Sequence, residues 1–147
     1  MKPIIFSIML LVGATFCSSA QPINDDTRNA FITSFIEAQQ INDVNALKKL
    51  LVKNPIIAIP GRNGDTEISK TEYLTFLKQA GQEQQQCNPS FEILIVTPES
   101  FIAQVDFMYV TYAYRNIIKA EKKEGTWKIT ELKKSFLAAP APVVVMH

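Results

Sequence analysis

From Phe91 to Leu132 apolar side chains recur at every second position over long stretches, and this period of two most narrows the folds open to the chain. In FEILIVT, Phe91, Ile93 and Ile95 fall on one face of a strand and Glu92, Leu94 and Val96 on the other. In FIAQVDFMYVTY, after a turn at Pro98 to Ser100, Phe101, Ala103, Val105, Phe107 and Tyr109 share a face. Ile102, Gln104, Asp106 and Met108 lie opposite them. YRNIIKAEKKEGTWKITEL then reads as a hairpin turning near Glu124-Gly125. Aromatic and β-branched strands joined by short links predict an antiparallel sheet.

The period upstream is different. In RNAFITSFIEAQQ, apolar groups at Phe31, Phe35 and Ala38, with Ile32 and Ile36 alongside, follow helical spacing, and Asp25, Asp26 and Thr27 offer caps. Asn42 or Asp43 caps a second, short helix through VNALKKLLV, which Asn54-Pro55 is expected to end. A brief strand is predicted at Ile56 to Ile59, then a turn or loop through Pro60-Gly61 and Asn63-Gly64. No phosphate-binding glycine pattern occurs there. Ser69 and Glu72 form a capping box for a third helix, TEYLTFLKQA, with Tyr73, Phe76 and Leu77 on one side. Helices first and strands afterwards place the chain in the α+β class.

The opening MKPIIFSIMLLVGATFCSSA has a basic start at Lys2 and an apolar run from Ile4 to Cys17, shorter than the about 20 residues a spanning helix needs. Residues 1–20 therefore read as a cleaved export signal, with Ser18 and Ala20 as the small residues before the cut. A lipidated Cys17 is the alternative, against which stand bulky Phe16 and Ala14; a buried N-terminal helix is another. The chain is expected to be periplasmic or secreted. Residues 21–137 make one domain, and residues 138–147, AAPAPVVVMH, form a tail that is either disordered or pairs at a sheet edge.

Several function classes fall away on composition. Lys and Arg number 15 against 14 Asp and Glu, and the leader takes one lysine with it, so the domain has no basic excess for nucleic acid. Cys87 is the one cysteine outside the leader and cannot form an internal disulfide. The single histidine is His147, which argues against a histidine–cysteine metal site.

The order helix, short helix, brief strand, capped helix, long sheet resembles the nuclear-transport-factor-2-like (NTF2-like) superfamily, including its SnoaL-like and ketosteroid-isomerase-like branches. Tyr114-Arg115 followed by EGTWKI carries the most specific part of the likeness. The resemblance covers about Asp25 to Leu137. It implies an NTF2-like cone: a curved antiparallel β-sheet packed against three N-terminal helices, enclosing a pocket floored by the sheet and walled by the first and third helices. It also implies dimers formed through the outer sheet face. Expected pocket residues are Phe31, Phe35, Tyr73, Leu77, Tyr112 and Trp127.

Two functions fit such a cone. One is an exported, non-catalytic domain that binds a small apolar ligand or a protein partner. The other is a SnoaL-like isomerase, cyclase or dehydratase working without metal or cofactor. There Asp106 is the general base, and Tyr73 and Tyr109 stabilise the developing oxyanion. A carboxylate in an apolar strand costs free energy unless paired, and burial would raise its pKa toward a general base's range. Strand parity opposes this, since Asp106 shares a face with Gln104 and Tyr109 lies on the other. Asp106 can equally be a wet or partner-facing group offset by Arg115 or a lysine.

Overall fold

A computed structural model describes residues 25–138. The expected leader, its expected cleavage point and the tail beyond Ala138 lie outside the described residues. Three helices, α1 (Asp25–Gln40), α2 (Val44–Leu50) and α3 (Lys70–Ala80), pack on one face of a sheet of six strands. The strands are β1 (Leu51–Gly61), β2 (Gly64–Ile68), β3 (Asn88–Val96), β4 (Ser100–Met108), β5 (Tyr112–Lys123) and β6 (Thr126–Ala138), in the spatial order β2-β1-β6-β5-β4-β3. This is the expected α+β cone, with one departure from antiparallel pairing. β1 runs parallel to β6 and joins the two halves of the chain.

The caps of α2 and α3 act as anticipated, whereas α1 already begins at Asp25, so Asp25, Asp26 and Thr27 lie within its first turn instead of capping it from outside. The Asp43 side chain accepts from the Ala46 amide at the start of α2. Ser69 and Glu72 close a full capping box on α3. Ser69→Ala removes one acceptor for an otherwise orphaned amide, and urea denaturation should register a loss of about 1 kcal/mol.

The first half differs most from its sequence reading. The helix α2 stops at Leu50 rather than at Asn54-Pro55, and a strand eleven residues long begins at Leu51. Both prolines of this strand sit where the ladder tolerates them. Pro55 falls in the register break between Leu51 and Ile56, and Pro60 lies beyond the last β6 pairing, Ala58↔Lys133. What reads as a loop at Gly64 to Ile68 is a second strand, paired antiparallel with β1 from Ile57↔Ile68 to Gly61↔Gly64. Only glycine fits at position 61, because a Cβ there would stand 2.7 Å from the Gly64 carbonyl oxygen. Lys70 braces the α2–β1 junction, donating to the carbonyls of Lys48, Leu51 and Val52 at 2.9, 3.1 and 3.0 Å.

The β4 alternation is as read: Phe101, Ala103, Val105 and Phe107 are buried, and the residues between them are half-buried. The strand is shorter than expected, because the chain turns at Tyr109 to Thr111 and β5 starts at Tyr112. The β5–β6 hairpin turns at Glu124-Gly125 with φ of 53° and 76°, which matches the right-handed twist of the flanking strands. In β3 the register shifts between Ile93 and Ile95. Ile93 therefore pairs with inward Ala103 but Ile95 with outward Ile102, and the expected face-sharing of Phe91, Ile93 and Ile95 ends at the bulge.

The core fills the narrow end of the cone. Ile32 and Phe35 of α1, Leu47 of α2, Ile57 of β1, Ile118 of β5 and Ile129 of β6 are fully or almost fully buried. Phe101 lies between Phe31 and Trp127, edge to face with both at centroid distances of 6.1 and 5.0 Å. The Arg28 guanidinium covers the outer side of Trp127 at 5.1 Å.

Candidate functional site

The described residues do not fill the wide end of the cone. A cleft of about 380 Å³ lies between α3, the β1–β2 hairpin and the inner face of the sheet. Its apolar wall comes from Ile59, Ile68, Leu77 and Phe107, with Phe76 at the rim, where that side chain is 56% exposed. Tyr73, Tyr109 and Tyr114 add aromatic surface.

The polar groups divide into two sets. The first is a satisfied network along one side. The Tyr73 hydroxyl donates to Gln39 Oε1 at 2.7 Å, and Tyr109 donates to Gln85 Oε1. Gln85 Nε2 donates to Asn42 Oδ1 at 3.1 Å, and Asn42 Nδ2 to the Gly81 carbonyl at 3.0 Å. These bonds tie the segment after α3 to the α1–α2 turn. Burial pushes the Tyr73 phenol well above its ordinary pKa, only partly offset by Gln39. Burial likewise raises Tyr109, with Cys87 adding to the effect. Both phenols are therefore neutral near pH 7 and already spend their protons on glutamines.

The second set is unsatisfied. Asn116 of β5 is fully buried, and neither Nδ2 nor Oδ1 has a hydrogen-bond partner among the described residues. Buried amides are almost always bonded, and leaving one unpaired costs about 1–3 kcal/mol. Opposite it across the ladder is Lys134 of β6, whose Cα is the register partner of Asn116. The Lys134 ammonium lies 5.5 Å from the centre of the Tyr73 ring. No carboxylate among the described residues pairs with it, and no carboxylate lines the cleft. Burial lowers the Lys134 pKa from 10.5 to about 8.

Lys134 faces inward because of a bulge. Between Lys119↔Glu131 and Ala120↔Ile129 the β6 register slips, so Trp127 and Ile129 point inward on odd positions, and Leu132 and Lys134 on even ones. The spacing Trp127-x-Ile129-x-x-Leu132 is the sequence signal for this slip. Of the adjacent lysines 133 and 134, only Lys133 faces out, to Asp65 at 3.0 Å.

The anticipated site residues are dispersed. Tyr73, Leu77 and Tyr109 line the cleft. Phe31, Phe35 and Trp127 belong to the packed narrow end, where they are at most 9% exposed. Tyr112 sits past the mouth, stacked between Tyr109 and Phe136 at 4.6 and 5.1 Å. Asp106 alternates with the inward residues of β4 and is absent from the cleft lining. Its carboxylate receives two bonds from Arg115, each of 2.9 Å, and one of 3.1 Å from Gln104. Those Arg115 bonds hold its pKa below the ordinary carboxylate value, with burial opposing. The structure thus does not bring Asp106 together with Tyr73 and Tyr109. The pairing across the ladder, Asp106↔Arg115, supplies the reason.

Among the described residues no group of three or more histidine, cysteine or carboxylate side chains is placed to hold a metal ion, and no helix is long and apolar enough to cross a membrane. No protein-family model matches the sequence, and no curated protein does. Solved structures do. An NTF2-like protein of unknown function from Shewanella baltica superposes with a TM-score of 0.68 at 12% identity, over 82% of this chain and 100% of the other. One from Silicibacter pomeroyi gives 0.67 at 12% identity over 76% of this chain and 94% of its own. An NTF2-like protein from Cytophaga hutchinsonii gives 0.63 at 18% identity, over 76% and 97%. At such identities the likeness concerns the fold alone: the chain has the NTF2-like cone.

Proposed function

We propose that this chain is an exported, non-catalytic binding domain whose cleft takes one small, mostly apolar molecule. The observation that supports it most directly is the wide end, where aromatic and aliphatic groups line about 380 Å³ that the side chains of the described residues do not occupy. Volumes of about 300–1,000 Å³ with mainly apolar walls and a few convergent polar groups suit small ligands. Export is the part of this reading that rests on Lys2 and the apolar run Ile4 to Cys17. The enzyme alternative has no support from Asp106, whose charge is already matched by Arg115.

A neutral fluorescent probe tests the binding reading. N-phenylnaphthylamine should brighten saturably, at one probe per chain. Leu77→Trp, which fills the cleft from α3, should weaken it by about ten-fold or more, since losing about 1.4 kcal/mol of contact already costs that much. Ala80→Phe, at an exposed rim position, should do the same without touching the core. Asp106→Asn should leave probe binding unchanged. Unsaturable binding, or binding indifferent to both cleft variants, would remove the reading.

A further inference from the structure

Resting on the binding reading above, we infer that the ligand is a carboxylic acid, seated with its carboxylate on Lys134 and Asn116 and its apolar body against Phe107, Tyr114 and Leu77. Three observations converge on this. An amine is held inside an aromatic cleft with no carboxylate of the described residues beside it. A fully buried amide on the neighbouring strand has both of its polar atoms unpaired among the described residues. The two residues are direct register partners, so their side chains rise side by side from the same face of the sheet.

A carboxylate is the group that resolves both deficits. One oxygen accepts from the Lys134 ammonium and the other from Asn116 Nδ2, and Asn116 Oδ1 can accept a second ammonium proton. A neutral hydroxyl or amide would satisfy Asn116 but leave the ammonium without a counter-charge in a poorly hydrated place. A bare inorganic anion would meet the ammonium and leave the apolar wall uncovered. An acid with an aromatic or aliphatic body meets both demands.

The charge state gives the pairing a pH signature. The ionisable groups facing Lys134 are Tyr73 from α3, Tyr109 from the end of β4 and Tyr114 from β5, and burial raises all three. They stay neutral while the lysine titrates. Lys134 is protonated below about 8 and loses its charge above it. Acid binding should therefore be strongest on the acidic side of that value and weaken as the pH climbs through it.

Displacement of N-phenylnaphthylamine by naphthalene carboxylate and by the matching naphthalene carboxamide tests the inference. At about pH 7 the carboxylate should displace the probe at about one-tenth the concentration of the amide or less, as a charge-assisted pair gained in a dry site would give. That preference should shrink at about pH 9.5. Lys134→Met should abolish it at both pH values, whereas Lys134→Arg should keep it at both, because guanidinium does not titrate there. Equal displacement by acid and amide, with the probe still bound in the cleft, overturns the carboxylate inference and leaves the binding reading intact. A preference that survives Lys134→Met also overturns it. A probe that never binds saturably overturns both.

Discussion

Phe101→Ala is expected to destabilise the domain by about 3–5 kcal/mol. Phe101 is fully buried at the start of β4 and meets Phe31 from α1 and Trp127 from β6 edge to face. The truncation removes the apolar ring, leaves a cavity and ends two aromatic contacts worth about 0.5–1.5 kcal/mol each. Neither neighbour can move in to close the gap, since Phe31 is anchored on α1 and Trp127 lies beneath Arg28. For a domain whose total stability is about 5–15 kcal/mol, this is a large share. Urea denaturation followed by circular dichroism measures it. A loss well below about 2 kcal/mol would mean that α1 does not pack over the narrow end as described.

Asn116→Leu should act in the opposite direction and raise stability by about 1–3 kcal/mol. The wild-type amide is buried with neither polar atom bonded among the described residues, so an apolar side chain removes a standing desolvation cost. The adjoining cleft gives the larger leucine room. The same substitution deletes one of the two groups assigned to the ligand's head, so the gain in stability should be accompanied by a weaker preference for naphthalene carboxylate over its amide. Stability bought at a site of function is a familiar trade. Thermal denaturation of the two proteins without ligand gives the first quantity and probe displacement the second. A destabilised Asn116→Leu protein would show that the amide is satisfied in solution.

How legible these features were in the sequence depends on whether local chemistry alone decides them. The β4 faces, the capping box at Ser69 and the turn at Glu124-Gly125 depend on near neighbours, and all three are as the sequence suggests. Pro55 and Pro60 were misleading for the opposite reason. Proline signals a break, and only the register slip and the limited reach of β6 allow a strand to run past both. The site was hidden by the same kind of long-range detail. One bulge in β6 decides whether Lys134 or Lys133 points inward, and Asn116 matters only because β5 sets it beside that lysine. Asp106 drew attention as a carboxylate in apolar company, yet its partner Arg115 lies nine positions along the chain and directly opposite it across the hairpin.

The parallel pairing of β1 with β6 has a consequence for biogenesis. The first of these strands leaves the ribosome long before the last, and until Thr126 to Ala138 has emerged, β1 has an open edge on one side. The helices α1 and α2 can form early, but their apolar stripes have only part of a sheet to cover. Closure therefore waits for the final strand, as expected where distant segments must meet. Nascent chains cut short before β6 would lack the inward lysine and keep that edge free, the form most exposed to chaperones and proteases.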